Sequence, residues 1–135
     1  MDTFSLQLVS PEKEYFSGST KMVVLPGEEG DFSVLPDHAP IITYLRPGRI
    51  TIKSATEEEF IYFVASGFVK VNENYCHVLV DYIKKKSDLN LGEIKKELTN
   101  YLAKFENEKD QLVIETLKEK VTILQEEINF LEYKD

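Results

Sequence analysis

Cysteine and histidine are almost absent from this chain of 135 residues, which contains one cysteine and two histidines. The lone Cys76 cannot form an internal disulfide, and His38 and His77 are too few to make a zinc-type ligand set. We therefore expect neither a metal nor a cofactor.

Long apolar runs are also missing, since none approaches the roughly 20 residues that a membrane-spanning helix needs. We expect no direct insertion into a membrane. The first residues, MDTFSLQLVS, have neither the basic and apolar blocks of a secretory signal nor the arginines of a transit peptide. These features favour a cytosolic bacterial protein and leave attachment to a membrane complex open.

Positive charge is the third shortage, because 16 basic residues face 24 acidic ones and the net charge is −8. An acidic chain repels a phosphate backbone, so we do not expect nucleic acid as a partner. Hydrophobic residues make up 42% of the chain, which is enough for a core. The length suits one domain, or a small domain with an appendage.

Apolar residues recur with a period of about two as far as residue 83, as is typical of β-strands. Turn residues separate these runs at intervals of roughly 8–12 residues, the pattern of a sandwich or barrel. Several runs, such as Phe60–Val64, are apolar on both faces. This favours two sheets packed face to face, with some outer apolar surface of the kind that marks a docking site. We predict a β-sandwich over residues 1–83.

The period becomes helical after a linker that we place at residues 84–89. Asn90 followed by Glu93 has the capping-box pattern that begins a helix. The polar stretch Glu106–Gln111 suits a turn before a second helix, although nothing in it forbids one continuous helix. That helix carries a heptad seam consisting of Ile114, Leu117, Val121, Leu124, Ile128 and Leu131. The sequence therefore predicts an antiparallel two-helix hairpin over residues 90–135, and an α+β fold in two parts.

The candidates for chemistry are few. His38 lies between Pro36 and Pro40, but no nucleophile or paired acid stands in a known catalytic spacing from it. Cys76 and His77 are neighbours on a predicted strand, where their side chains point to opposite faces and cannot share a proton. The three carboxylates of Gly27–Asp31 would repel a phosphate, so this glycine-rich segment is predicted to be a turn. We predict no catalytic residues and no enzymatic activity.

Two segments resemble the epsilon subunit family of bacterial F-type ATP synthases. VVLPGEEGDFSVLPDHAPIITYLRPG, from Val23 to Gly48, is similar in order and spacing to the family's G-x-x-G, L-P-x-H-A-P and x-x-P-G elements. ASGFVKV, from Ala65 to Val71, resembles the family's G-G-F/V-x-x-V segment, with Ser66 in place of the first glycine. The length and the order of β part and helical part agree as well.

The resemblance implies a ten-stranded sandwich and a helical hairpin without an active site. It implies a rotor subunit in the central stalk that binds the gamma subunit and the c-subunit ring, couples proton-driven rotation to ATP synthesis, and lies peripherally on the cytoplasmic face of the bacterial inner membrane. In the family, the end of the sandwich that holds the acidic loop and the L-P-x-H-A-P turn meets the ring, which suggests Asp31 and His38 as ring-facing residues and so as c-ring or stalk contacts. Contact of the hairpin with the beta and alpha subunits of the catalytic head, and regulation of ATP hydrolysis by it, stay open.

Two departures from the family concern regulation. Many members carry I/L-D-x-x-R-A at the start of the first helix to bind ATP, and the matching positions here are Asn90 and Glu93. Because Glu93 repels phosphate, we predict weak or absent ATP sensing. In some members a basic C-terminal arm engages an acidic segment of the beta subunit. Residues 111–135 have six acidic and three basic side chains, which argues against such attraction.

A second hypothesis belongs to another class of function. The chain would be a free-standing adaptor that binds coiled-coil partners through its C-terminal helices. It predicts that residues 90–135 alone recover partners as well as the whole chain does.

Overall fold

The computed structural model describes residues 2–133, so residues 134 and 135 of the predicted hairpin lie outside the described part. Nine strands precede two helices. The strands are β1 (Phe4–Val9), β2 (Glu14–Gly27), β3 (Gly30–Val34), β4 (Ile41–Leu45), β5 (Gly48–Ser54), β6 (Glu59–Val64), β7 (Gly67–Val71), β8 (Tyr75–Val80) and β9 (Ile83–Lys84). The helices are α1 (Leu91–Phe105) and α2 (Gln111–Glu132), and a 3-10 turn at Lys86–Asp88 precedes them. The predicted fold class, a β-sandwich followed by two helices, is confirmed.

The strands form one folded-over sheet with the neighbour order β1-β8-β7-β4-β2-β5-β6-β9, and β3 pairs with β2. β1 also pairs with β2, so the order closes on itself. The first part of β2 pairs with β1 and its second part with β3 and β5, so this strand serves both layers of the sandwich. Its register with β5 shifts between Thr20 and Met22. Such a bulge bends a strand. Because β2 is counted as one bent strand, nine strands are described, whereas the resemblance implies ten.

Alternate residues of the strands fill the space between the layers. In β5 and β8 every second side chain is buried, as the period of two requires. Leu6, Leu8, Leu25, Ile52 and Val69 are among the core residues, each exposing at most 1% of its surface. Each fully buried side chain of this size contributes roughly 1.5–3 kcal/mol relative to its exposed state.

The chain divides into two compact units, one running to Lys85 and the other beginning at Lys86. Lys84, which the sequence analysis placed in the linker, pairs with Phe63 as the last residue of β9. The linker region contains the 3-10 turn, in which the backbone amide of Leu89 donates to the carbonyl oxygen of Lys86 at 3.2 Å. The first unit therefore ends in a paired strand rather than in free chain.

The second unit consists of α1 and α2 joined by residues 106–110, within the predicted turn. Asn90 caps α1, since its Oδ1 accepts a hydrogen bond from the Glu93 amide at 2.9 Å, and Asp110 caps α2 through the Leu112 amide at the same distance. An ion pair joins Lys95 of α1 to Glu132 of α2, with 3.5 Å between Nζ and Oε2.

The buried face of α2 differs in part from the predicted heptad seam. Leu117, Val121 and Leu124 are buried as predicted, but the last two turns bury Glu127 and Phe130. Ile128 and Leu131, the predicted positions, are half-buried. At about 100° per residue, Glu127 and Phe130 lie on a different side of the helix from Leu117, Val121 and Leu124. On that side Nζ of Lys86, in the 3-10 turn, lies 5.8 Å from the centroid of the Phe130 ring.

Candidate functional site

The outer face of β4, β7, β8 and β1 carries an unusual amount of apolar surface. Strand pairing sets Tyr44 opposite Phe68, Phe68 opposite Leu79, and Leu79 opposite Val9. These four side chains, the apolar row, run across four strands on one face. Tyr44 exposes 62% of its surface and Leu79 49%, although core partners lie on the other face of the same strands.

The apolar row is ordered by its own contacts. The rings of Tyr44 and Phe68 meet edge to face with centroids 5.5 Å apart, a favoured aromatic geometry. Beside them a hollow of about 350 Å³ is lined by Tyr44, Phe68, Leu79 and Pro11, among others. Ile42, two residues before Tyr44 on β4, adds a further side chain that is 63% exposed. A contiguous apolar patch of this kind is typical of a surface that binds another protein.

A polar pair borders the apolar row on one side. The Ser66 hydroxyl donates a hydrogen bond to Oδ1 of Asp81 at 2.7 Å. Ser66 precedes β7 and Asp81 follows β8, and both residues line the same hollow as Phe68 and Leu79. Ser66 is the residue that departs from the family's glycine, and here its hydroxyl orients a carboxylate at the edge of the hollow.

Asp31 lies at the start of β3, where the two-residue turn Glu28–Glu29 joins β2 to β3. It forms an ion pair with Arg46, the residue after β4, and the two side chains expose 66% and 41% of their surface. A backbone hydrogen bond holds the same region, since the amide of Arg46 donates to the carbonyl oxygen of Pro26 at 2.9 Å. This end of the sandwich therefore presents an acidic turn beside a paired acid and base.

His38 lies in the loop that leads from the far end of β3 to the beginning of β4. The amide of His38 donates to Leu35 at 3.2 Å, and Pro36 and the positive φ of Asp37, 63°, complete the pattern of a type II turn. Nδ1 of His38 lies 2.6 Å from the carbonyl oxygen of Ala39, within hydrogen-bonding distance, and this contact orients the ring within the turn.

Asp31 and His38 are therefore about one strand length apart, at the two ends of β3 and β4. The strand rise of about 3.3 Å per residue gives each of these five-residue strands a length of roughly 13 Å from first to last Cα. The two residues occupy opposite ends of these strands, so the expectation that the acidic loop and the His38 turn share one end of the sandwich is wrong.

The remaining candidates form no reactive centre. Cys76 is fully buried and burial raises its thiol pKa to about 12, while His77 on the next position of β8 is exposed and stacks on Tyr75 with centroids 4.3 Å apart. The prediction that the two point to opposite faces is confirmed. Among residues 2–133 no group of three or more His, Cys, Asp and Glu side chains is placed to hold a metal ion. No helix within this range is long and apolar enough to span a bilayer.

The residues that sequence reasoning missed are those of the apolar row and its polar border. Its members come from four strands, of which only β7 and β8 are consecutive in the chain, and the strand registers bring them together. The signal that was available is the presence of Phe68 and Tyr44 at outward positions of strands that are also apolar on their inner face.

The chain resembles known proteins in sequence. Residues 3–86 match the family described as ATP synthase, Delta/Epsilon chain, beta-sandwich domain. The ATP synthase epsilon chain of Herminiimonas arsenicoxydans is 44% identical over 89 residues, which cover 64% of this chain and 63% of that protein. The alignment thus spans somewhat less than two thirds of that relative's length.

The fold resembles chains in two solved assemblies. One belongs to the mitochondrial ATP synthase of Euglena gracilis, in a structure of OSCP, F1 and c-ring, with a TM-score of 0.84, 17% identity, and coverage of 93% of this chain and 79% of that one. The other belongs to the central stalk and c-ring of the Tetrahymena thermophila mitochondrial ATP synthase, with a TM-score of 0.60, 15% identity, and coverage of 93% and 96%. At these identities the likeness concerns the fold.

Proposed function

The chain belongs to the family of ATP synthase delta/epsilon chains, and from this premise we propose that it is a non-catalytic rotor subunit in the central stalk of a proton-translocating F-type ATP synthase. In this role it docks the gamma subunit to the c-ring and so helps to couple rotation to ATP synthesis. Its place is peripheral, on the cytoplasmic face of the bacterial inner membrane. The two similar folds come from assemblies that contain a c-ring, which supports this setting.

The observation that carries the proposal is the apolar row. Tyr44 and Leu79 expose roughly half or more of their surface to solvent in the isolated chain. Burying apolar surface yields about 25 cal/mol per Å². A permanent partner such as the gamma subunit would therefore gain binding free energy by removing the apolar row from water. We propose that gamma covers this face.

The c-ring contact is proposed for the end of the sandwich that holds Asp31. There the Glu28–Glu29 turn projects beside the Asp31–Arg46 pair, and both signs of charge are available to polar groups of the ring loops. His38, at the other end of β3 and β4, is proposed as a stalk contact. Its rigid turn between two prolines suits a surface that must transmit torque without yielding.

Co-purification tests the assembly role. We expect the full chain and a chain ending at Lys85 to bind the gamma subunit equally, because the apolar row lies wholly within the first unit. ATP hydrolysis by the assembled complex should then be compared for the two chains, and a faster rate with the shorter chain would support restraint by the hairpin. Failure of the full chain to bind gamma would refute the rotor assignment. Recovery of partners by the hairpin alone would favour the adaptor hypothesis.

ATP sensing by the hairpin is proposed to be weak or absent. Oδ1 of Asn90 is engaged in the helix cap, 2.9 Å from the Glu93 amide, and the exposed Glu93 carboxylate would repel phosphate. Isothermal titration of the full chain with ATP should give no saturable binding below about 1 mM, a dissociation constant that corresponds to only about −4 kcal/mol. Binding in the micromolar range would contradict this.

A further inference from the structure

The apolar row has opposite charges on its two sides. Asp81 stands two residues beyond Leu79 on one side, and Lys70 stands two residues beyond Phe68 on the other, both exposed. Phe68 and Leu79 lie opposite each other on antiparallel strands. A step of two residues towards the C-terminus from Phe68 therefore leads in the opposite direction to the same step from Leu79. Each charge is therefore about 7 Å from the apolar row, and the two lie on either side of it.

The Asp81 carboxylate is held in place before any partner binds. The Ser66 hydroxyl, 2.7 Å from Oδ1, fixes its direction. A carboxylate offers about four acceptor positions, so one hydroxyl donor leaves room for further donors. Because Asp81 lines the same hollow as Leu79 and Phe68, a side chain that fills the hollow brings its neighbours within reach of the carboxylate.

We infer that Asp81, positioned by Ser66, is the polar anchor that fixes the orientation of the gamma subunit on the apolar row. The inference rests on the proposed docking of gamma to this face. The fitting segment of gamma presents an apolar side chain to the hollow, a basic or amide side chain to Asp81, and an acidic or neutral one towards Lys70. Docking in the reverse direction would bring like charges together, which disfavours it.

The test is the dissociation constant of the full chain for the gamma subunit, measured for matched variants at two salt concentrations. We expect Asp81→Asn to weaken binding about tenfold, Asp81→Lys about a hundredfold, and Ser66→Ala a few-fold, since it frees the carboxylate without removing it. The effect of Asp81→Lys should shrink at high salt, because an ionic contact at the edge of an interface is screened. Lys70→Glu should also weaken binding.

Glu59→Lys is the control, because it makes the same charge change on β6, a strand outside the group that carries the apolar row. It should leave the affinity within about twofold of that of the unchanged protein. Thermal unfolding separates a loss of contact from a loss of fold, and the Asp81 variants should melt within a few degrees of the original chain, as expected for an exposed side chain.

The outcomes distinguish the inference from the function on which it rests. If Asp81→Lys and Glu59→Lys both bind gamma as the unchanged chain does, the anchor is refuted and the docking proposal stands. If the two weaken binding equally, net charge rather than an anchor decides the affinity, and the inference is again refuted. If the unchanged chain does not bind gamma, the proposed function is refuted, and the inference about Asp81 is refuted together with it.

Discussion

Replacing Leu79 with aspartate should weaken the binding of the gamma subunit by at least about a hundredfold, which corresponds to about 2.7 kcal/mol. Leu79 occupies the middle of the apolar row, opposite Phe68 on one side and Val9 on the other, and exposes 49% of its surface. A carboxylate at this point would be stripped of water when gamma covers the row, and burying an unpaired charge is costly. The dissociation constant from titration or surface binding gives the result.

The same replacement should leave the sandwich folded. Since the side chain of Leu79 is half in solvent in the isolated chain, we expect the free energy of unfolding to change by less than about 1 kcal/mol. Leu112→Asp is the matched control, because Leu112 exposes 73% of its surface but lies on α2 in the second unit. Equal loss of binding in both variants would contradict docking through the apolar row, and loss in Leu112→Asp alone would place the contact on the hairpin.

Replacing Gly67 with valine should destabilise the sandwich by about 2–4 kcal/mol, because a well-packed site cannot accept the added atoms. A Cβ at this position would lie 2.7 Å from the carbonyl oxygen of Leu79, 3.0 Å from a side-chain carbon of Val80 and 3.2 Å from one of Leu45. The nearest of these atoms belongs to the backbone of β8 and cannot move aside as a flexible side chain does. For a unit of this size such a loss lowers the unfolding midpoint by roughly 10 °C or more.

Gly18 provides the control for this experiment. It lies in β2, and a Cβ built there meets nothing within 4 Å. Gly18→Val should therefore keep or raise the midpoint, since a β-branched residue favours a strand and restricts the unfolded chain. A midpoint for Gly67→Val that matches that of Gly18→Val would show that β7 and β8 can separate at this point, contrary to the packing described.

The parts of the fold that the sequence predicted are those with a local cause. Asn90 caps α1 because its side-chain oxygen accepts a hydrogen bond from a backbone amide in the first turn of the helix, which has no partner within the helix. The alternation along β8 buries Cys76 and exposes His77. The first half of β2 was harder to predict, because its residues Ser17–Thr20 are polar or glycine. Those residues form a strand because β1 pairs with them, and this pairing leaves no trace in their hydrophobic pattern.

The site was harder to predict because it depends on contacts between distant segments. Tyr44, Phe68 and Leu79 meet only through the registers of β4 with β7 and of β7 with β8. The ion pair between Asp31 and Arg46 likewise depends on β4 returning to the β2–β3 turn. A shift of one residue in either register would turn these side chains to the other face, and no property of a single segment fixes it.

The pairing of β1 with β8 has a consequence for synthesis of the protein on the ribosome. Ser5 pairs with Tyr75 and Val9 with Leu79. The hydrogen bonds along this edge of β1, the first strand to leave the ribosome, can therefore form only after β8 has been made. Until then β1 and β7 each lack the neighbour that β8 provides. Open strand edges favour pairing with other chains, and contacts this distant in sequence form slowly. The nascent chain therefore keeps both of these strand edges open to misassembly until residues 75–80 emerge, and slow translation at that point would lengthen the interval.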